Sequence, residues 1–144
     1  MKKHFVCGFV GLGLIGGSIA RAMRRSHPGC DLLACDLNQD ALSAAVSDGV
    51  INEAFPEIGP DFSRCDYIFL CAPVSENDKN LLLIQKYISP ACILTDAGSV
   101  KTNIHQHIQK AGLENQFIGG HPMAGSERTG YWNSKALLLE NAYY

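Results

Sequence analysis

Short apolar runs alternate along the chain with longer stretches in which apolar residues recur every three or four positions. The runs Phe5–Val10, Leu32–Cys35, Tyr67–Ala72, Ile93–Thr95 and Phe117–Ile118 read as strands. Tyr67–Ala72 is continuously apolar, as expected of a central parallel strand covered on both faces. Between the runs, Ile15, Ile19, Ala22 and Met23 share one helical face, and so do Ile104, Ile108 and Ala111. A third helix is predicted from Ser75 as N-cap, carrying Leu81, Ile84 and Ile88 inward and stopping ahead of Pro90; a shorter one runs from Asp40 to Ser47 and ends at Gly49. Strand–helix alternation of this kind predicts βαβ units around a parallel sheet. The last stretch, Leu137–Tyr144, is apolar apart from Glu140 and Asn141 and reads as a strand left unclosed. The expectation is therefore a domain cut from a longer polypeptide.

With 144 residues, 47% hydrophobic and 18% charged, the chain is the size and composition of a single packed domain. A net charge of −2 and a pI near 6.2 leave no basic surplus for nucleic-acid phosphates or an anionic membrane. Small molecules are the expected partners. The six cysteines form no Cys-x-x-Cys pair, which gives neither a zinc nor a redox motif; unpaired thiols point to a reducing cytoplasm. Lys2 and Lys3 before the apolar stretch Phe5–Ala20 superficially resemble a secretory signal. The five glycines in that stretch, Gly8, Gly11, Gly13, Gly16 and Gly17, have a different reason.

Gly11-Leu-Gly13-Leu-Ile-Gly16 follows one predicted strand and opens one predicted helix. In that context Gly11 permits a tight turn, Gly13 lets backbone approach a pyrophosphate, and Gly16 lets the helix pack on the strand. The pyrophosphate would sit on the free N–H groups around Leu14 and Ile15, where the helix dipole favours anions. Asp36, at the end of the second predicted strand, is placed to accept hydrogen bonds from adenosine ribose hydroxyls. A 2′-phosphate there would face that carboxylate, and like charges about 4 Å apart cost on the order of 4 kcal/mol at an effective dielectric of 20. NAD is therefore expected rather than NADP. Ala72 and Pro73 end the central strand at the carboxyl edge of the sheet, where open α/β folds bind ligands. The competing reading is that the glycines only turn the chain, Asp36 only closes a strand, and Pro73 only stops one. The fold expected is α/β, a Rossmann-type doubly wound, mostly parallel sheet with helices on both faces.

Two further motifs fall on the same edge. Asp96-Ala-Gly-Ser99-Val-Lys101 leads from a strand into a helix, where Ser99 is either an ordinary N-cap or a hydroxyl near the nicotinamide end. Gly119-Gly-His121-Pro-Met-Ala-Gly-Ser-Glu127 follows the last strand, and glycine and proline fix the loop around His121. Imidazole is well matched to accepting a proton near neutral pH, which makes His121 a candidate base. His4, His27, His105 and His107 read as solvated.

The three motifs Gly11–Ser18, Asp96–Lys101 and Gly120–Glu127, with the terminal Glu140-Asn-Ala-Tyr-Tyr144, resemble the prephenate dehydrogenase family along the full chain. The resemblance implies NAD-dependent oxidative decarboxylation of prephenate to 4-hydroxyphenylpyruvate in tyrosine biosynthesis. His121 would take the proton of the ring C4 hydroxyl while hydride leaves C4 for the nicotinamide. Ser99 would orient His121 or that hydroxyl, and Glu127 would be a polar gate or ion-pair member in the substrate pocket. The family also has a helical second domain that makes the homodimer and supplies an arginine for the substrate carboxylate; this domain is absent from the 144 residues. Arg128, the one cation in the histidine loop, reads as solvated. The chain alone is thus expected to bind NAD and to turn over prephenate weakly or not at all. Arogenate dehydrogenase is the near alternative, and a β-hydroxyacid dehydrogenase a distant one that the His-Pro-Met-Ala-Gly loop argues against. A non-catalytic NAD-sensing module is the alternative from another class.

Overall fold

The computed structural model describes residues 4–97, 102–120 and 128–139. These build strands β1 (Val6–Val10), β2 (Asp31–Cys35), β3 (Glu53–Phe55), β4 (Tyr67–Leu70), β5 (Ile93–Asp96) and β6 (Phe117–Ile118). The helices are α1 (Leu14–Ser26), α2 (Gln39–Ser47), α3 (Val74–Ile84) and α4 (Thr102–Ala111). All six strands are parallel, in the order β3-β2-β1-β4-β5-β6. That is the doubly wound Rossmann order, parallel throughout among the described residues, with its switch point between β1 and β4.

The sheet is covered on both faces, as continuous apolar strands require. On one face, Cys7, Phe9, Leu32 and Ala34 pack with Ile19 and Ala20 of α1 and with Ala41, Leu42 and Ala45 of α2. On the other, Ile68, Leu70 and Leu94 pack with Leu81 and Ile84 of α3 and with Ile104 and Ile108 of α4. β4 shows why its sequence does not alternate: Ile68 and Leu70 face the second layer, while Tyr67 and Phe69 turn to the first, Phe69 stacking on Phe9 at 5.1 Å.

Several boundaries differ from the sequence reading. β3 is unannounced because Glu53-Ala-Phe55 is short, mostly exposed and at the sheet edge, so burial leaves no apolar run. β4 ends at Leu70, since Pro73, which lacks an N–H, already caps α3; Ser75 lies inside that helix, and no side-chain bond caps it. Ile88 comes after α3 and half-buries from the segment that follows its closing turn. The terminal apolar stretch is no strand as far as it is described: Ala136–Leu139 forms a 3-10 turn laid against α1. Residues 140–144 lie outside the described residues. His27 and His107 are half-buried rather than solvated, His27 edge-on to Phe5 at 5.2 Å and His107 3.3 Å from Asp78; His4 and His105 are exposed.

Candidate functional site

The loops after β1 and β4 part at the switch point, and the opening between them is a cleft of about 870 Å3. Gly11 stands at the fork. Its φ of +97° is the left-handed region, its N–H donates to the Cys35 carbonyl at 2.9 Å, and a Cβ there would lie 2.6 Å from the Ala72 nitrogen. Gly16 lets α1 lie on this turn, because a Cβ would run into the Gly11 carbonyl oxygen and reach Cys71 at 3.1 Å. Gly13 is different: a Cβ there would meet nothing within 4 Å, and the residue caps α1 without any side-chain bond. The first N–H groups of a helix have no partner inside it, so this cap leaves an open, amide-rich concavity.

Asp36 fixes the other side of the loop. Its Oδ2 accepts from the Leu12 N–H at 2.6 Å and its Oδ1 from the Asn38 N–H at 2.8 Å. It therefore closes the strand, as the competing reading held, and still lines the cleft. A carboxylate oxygen has two lone pairs, so each oxygen keeps one to offer a ligand hydroxyl.

The cleft brings together Gly11, Gly13, Leu14, Ile15, Asp36, Ala72 and Pro73, with Gly16 packed beneath. The sequence reading missed Leu37, Pro56, Glu57 and Ile58, which join Asp36 because Cys35 pairs with Phe55 in the β2–β3 register. Recognising Glu53-Ala-Phe55 as an edge strand is the signal that would have found them. Leu83 of α3 and Thr129–Gly130 complete the wall. The carboxylates among the described lining residues are Asp36, Glu57 and Glu76, with neither lysine nor arginine. Among the described lining residues, an anion would meet backbone amides and no side-chain cation.

Ser99, His121 and Glu127 lie outside the described residues, but their approaches are defined. Asp96, buried at the end of β5, accepts from the Gly120 N–H at 3.3 Å. That bond ties the strand leading to Ser99 to the residue preceding His121. Arg128 is exposed, as expected.

The family model for the prephenate dehydrogenase nucleotide-binding domain matches residues 19–144. The chain belongs to the prephenate dehydrogenase family, as its nucleotide-binding domain. A prephenate dehydrogenase of Lactococcus lactis is 35% identical over 147 aligned positions, covering the whole chain and 40% of that relative. The solved arogenate dehydrogenase of Synechocystis superposes with a TM-score of 0.86 at 35% identity, covering 95% of this chain and 48% of that one. The prephenate dehydrogenase of A. aeolicus, solved with hydroxyphenyl propionate and NAD+, gives 0.88 at 31% identity, covering 96% and 48%. This nucleotide-binding domain thus spans less than half the length of these relatives. The family match begins at residue 19, after the glycine loop, so the loop's role stands on its own geometry. Among the described residues no helix is long and apolar enough to cross a membrane, and no group of ligating side chains could hold a metal.

Proposed function

We propose that this chain is the NAD-binding part of a dehydrogenase that oxidatively decarboxylates prephenate, or its amino counterpart arogenate, on the route to tyrosine. The observation that carries the reading is the cleft at the β1–β4 fork, where an uncapped helix end and an oriented carboxylate flank a glycine with open space above it. The described residues fit a dinucleotide. Gly13 and the amides of Leu14 and Ile15 would hold the pyrophosphate, Asp36 the adenosine ribose, and Ala72 and Pro73 the wall toward the nicotinamide. When bound, NAD supplies the hydride acceptor. Because the described wall carries carboxylates and no cation, a 2′-phosphate finds repulsion without compensation, which supports NAD over NADP.

His121 takes the proton of the C4 hydroxyl, Ser99 orients it, and Glu127 lines the substrate side. A helical second domain supplies the substrate-carboxylate contact and the homodimer interface. The six free thiols, five of them buried, fit a cytoplasmic enzyme. The test is NADH formation by the longest in-frame product containing this segment, with prephenate and arogenate, each with NAD and NADP. Turnover of one substrate with NAD is expected, and His121→Asn should abolish the rate while NAD affinity stays. A product that binds NAD and oxidises neither substrate would overturn the enzyme reading in favour of a sensing module.

A further inference from the structure

The segment that follows the histidine loop is bolted across the cofactor helix by a polar network that the cleft itself does not need. Thr129 and Gly130 form part of the cleft wall, and at Gly130 the chain turns with φ of +89°. Tyr131, only 1% exposed, then drops against α1, and its hydroxyl donates to Asp48 Oδ2 at 2.8 Å at the far end of α2. Arg21 of α1 stacks over the Tyr131 ring at 4.7 Å, donates from Nε to Ser134 Oγ at 2.8 Å, and lies 3.7 Å from Asp48. The Lys135 N–H donates to Ser18 Oγ at 3.0 Å. Gly17 is the seat: a Cβ there would press on Ser134 at 2.8 Å and on the Tyr131 ring at 3.1 Å.

The Tyr131 ring is buried while its hydroxyl bonds a half-exposed carboxylate 83 positions earlier in the chain, a contact specific in direction. If burying the ring were all that mattered, phenylalanine would serve. The hydroxyl instead fixes where Tyr131 sits along α1, and hence where Gly130 and Thr129 stand in the cleft wall they share with Leu14 and Ile15.

We propose that Tyr131, held by Asp48, is a positioning residue for the dinucleotide: it sets the Thr129–Gly130 wall of the cleft that the N-terminus of α1 also lines. This rests on the nucleotide reading above. The wall shares the cleft with Leu14 and Ile15, whose amides are assigned to the pyrophosphate, whereas Asp36 takes the adenosine ribose, so the clamp acts on the part of the ligand beyond the adenosine.

The experiment uses this chain with NADH and 5′-AMP as probes, titrated at a temperature where circular dichroism shows every variant folded. Tyr131→Phe and Asp48→Ala should each weaken NADH binding roughly three- to ten-fold, as loss of a hydrogen bond to a charged group allows, and leave 5′-AMP within about two-fold. The double variant should be no weaker than either single one, and Asp48→Asn, which keeps an acceptor, should restore NADH affinity. NADH binding unchanged in both single variants, or NADH and 5′-AMP weakened in step, would overturn the positioning role. A parent chain that bound neither probe would overturn the nucleotide reading itself, and the positioning role with it.

Discussion

Replacing Gly16 and, separately, Gly13 by alanine divides the two duties of the glycine loop, because the structure gives the same added methyl opposite surroundings. At Gly16 the methyl meets backbone, the Gly11 carbonyl oxygen, which cannot swing aside, and Cys71 at 3.1 Å. Overpacking of this kind costs about 1–3 kcal/mol. For a chain of this size that is a fall of about 3–10 °C in melting temperature. At Gly13 nothing lies within 4 Å of the added methyl. The poorer N-cap propensity of alanine and the smaller entropy of its unfolded chain oppose one another, so stability should move by less than about 1 kcal/mol. The methyl would stand in the space assigned to the pyrophosphate, and NADH affinity should fall at least roughly ten-fold, or about 1.4 kcal/mol. Thermal melts without ligand and fluorescence titration with NADH measure both quantities on the same samples. Equal losses of melting temperature in the two variants, or wild-type NADH affinity in Gly13→Ala, would refute the division.

Asp36→Asn removes the charge while keeping one acceptor, so the preference for NADH over NADPH should shrink at least roughly ten-fold in parallel titrations. The same change loses one of the bonds to Leu12 and Asn38 and should cost about 1–2 kcal/mol in urea denaturation. The buried thiols predict an alkaline limit. Burial pushes Cys7, Cys35 and Cys92 up to about 12, with Asp36 adding to the rise at Cys35 and Asp66 at Cys7 and Cys92. A folded-state pKa above the unfolded value means the stability is whole below about 9 and is lost as pH climbs from there toward 12. Urea midpoints should therefore hold level from pH 7 to 8.5 and decline at 9.5 and 10.5; a level midpoint throughout would show that these thiols ionise without penalty in the fold.

The elements that the sequence made legible are those whose burial imposes a period. β1, β4 and β2 from Leu32 onward are apolar because both faces are covered, and Ile104 and Ile108 mark α4 because only one of its faces is. Glu53-Ala-Phe55 escaped because an edge strand carries no such imprint, and with it went Glu57 and Ile58. Asp36 was found, though not its bond to Leu12, since a backbone partner 24 positions earlier leaves no trace in composition. Tyr131 was invisible for a related reason. Its hole is made by the absence of a side chain at Gly17, and an absence in one segment does not advertise what fills it from another.

The Gly11 fork also has a kinetic side. No strand of this sheet is joined to its neighbour by a hairpin, and β1 must find β4 across the whole of β2, α2 and β3, Cys7 settling beside Tyr67. Pairings over such separations form slowly, because the loop must close before the contact repays it. Since Gly11 takes its shape against Ala72, the amide cradle does not exist in a chain where β1 and β4 have yet to meet. A dinucleotide can then reward only the finished fold, drawing the equilibrium toward the native state by mass action while leaving the search for it unaided.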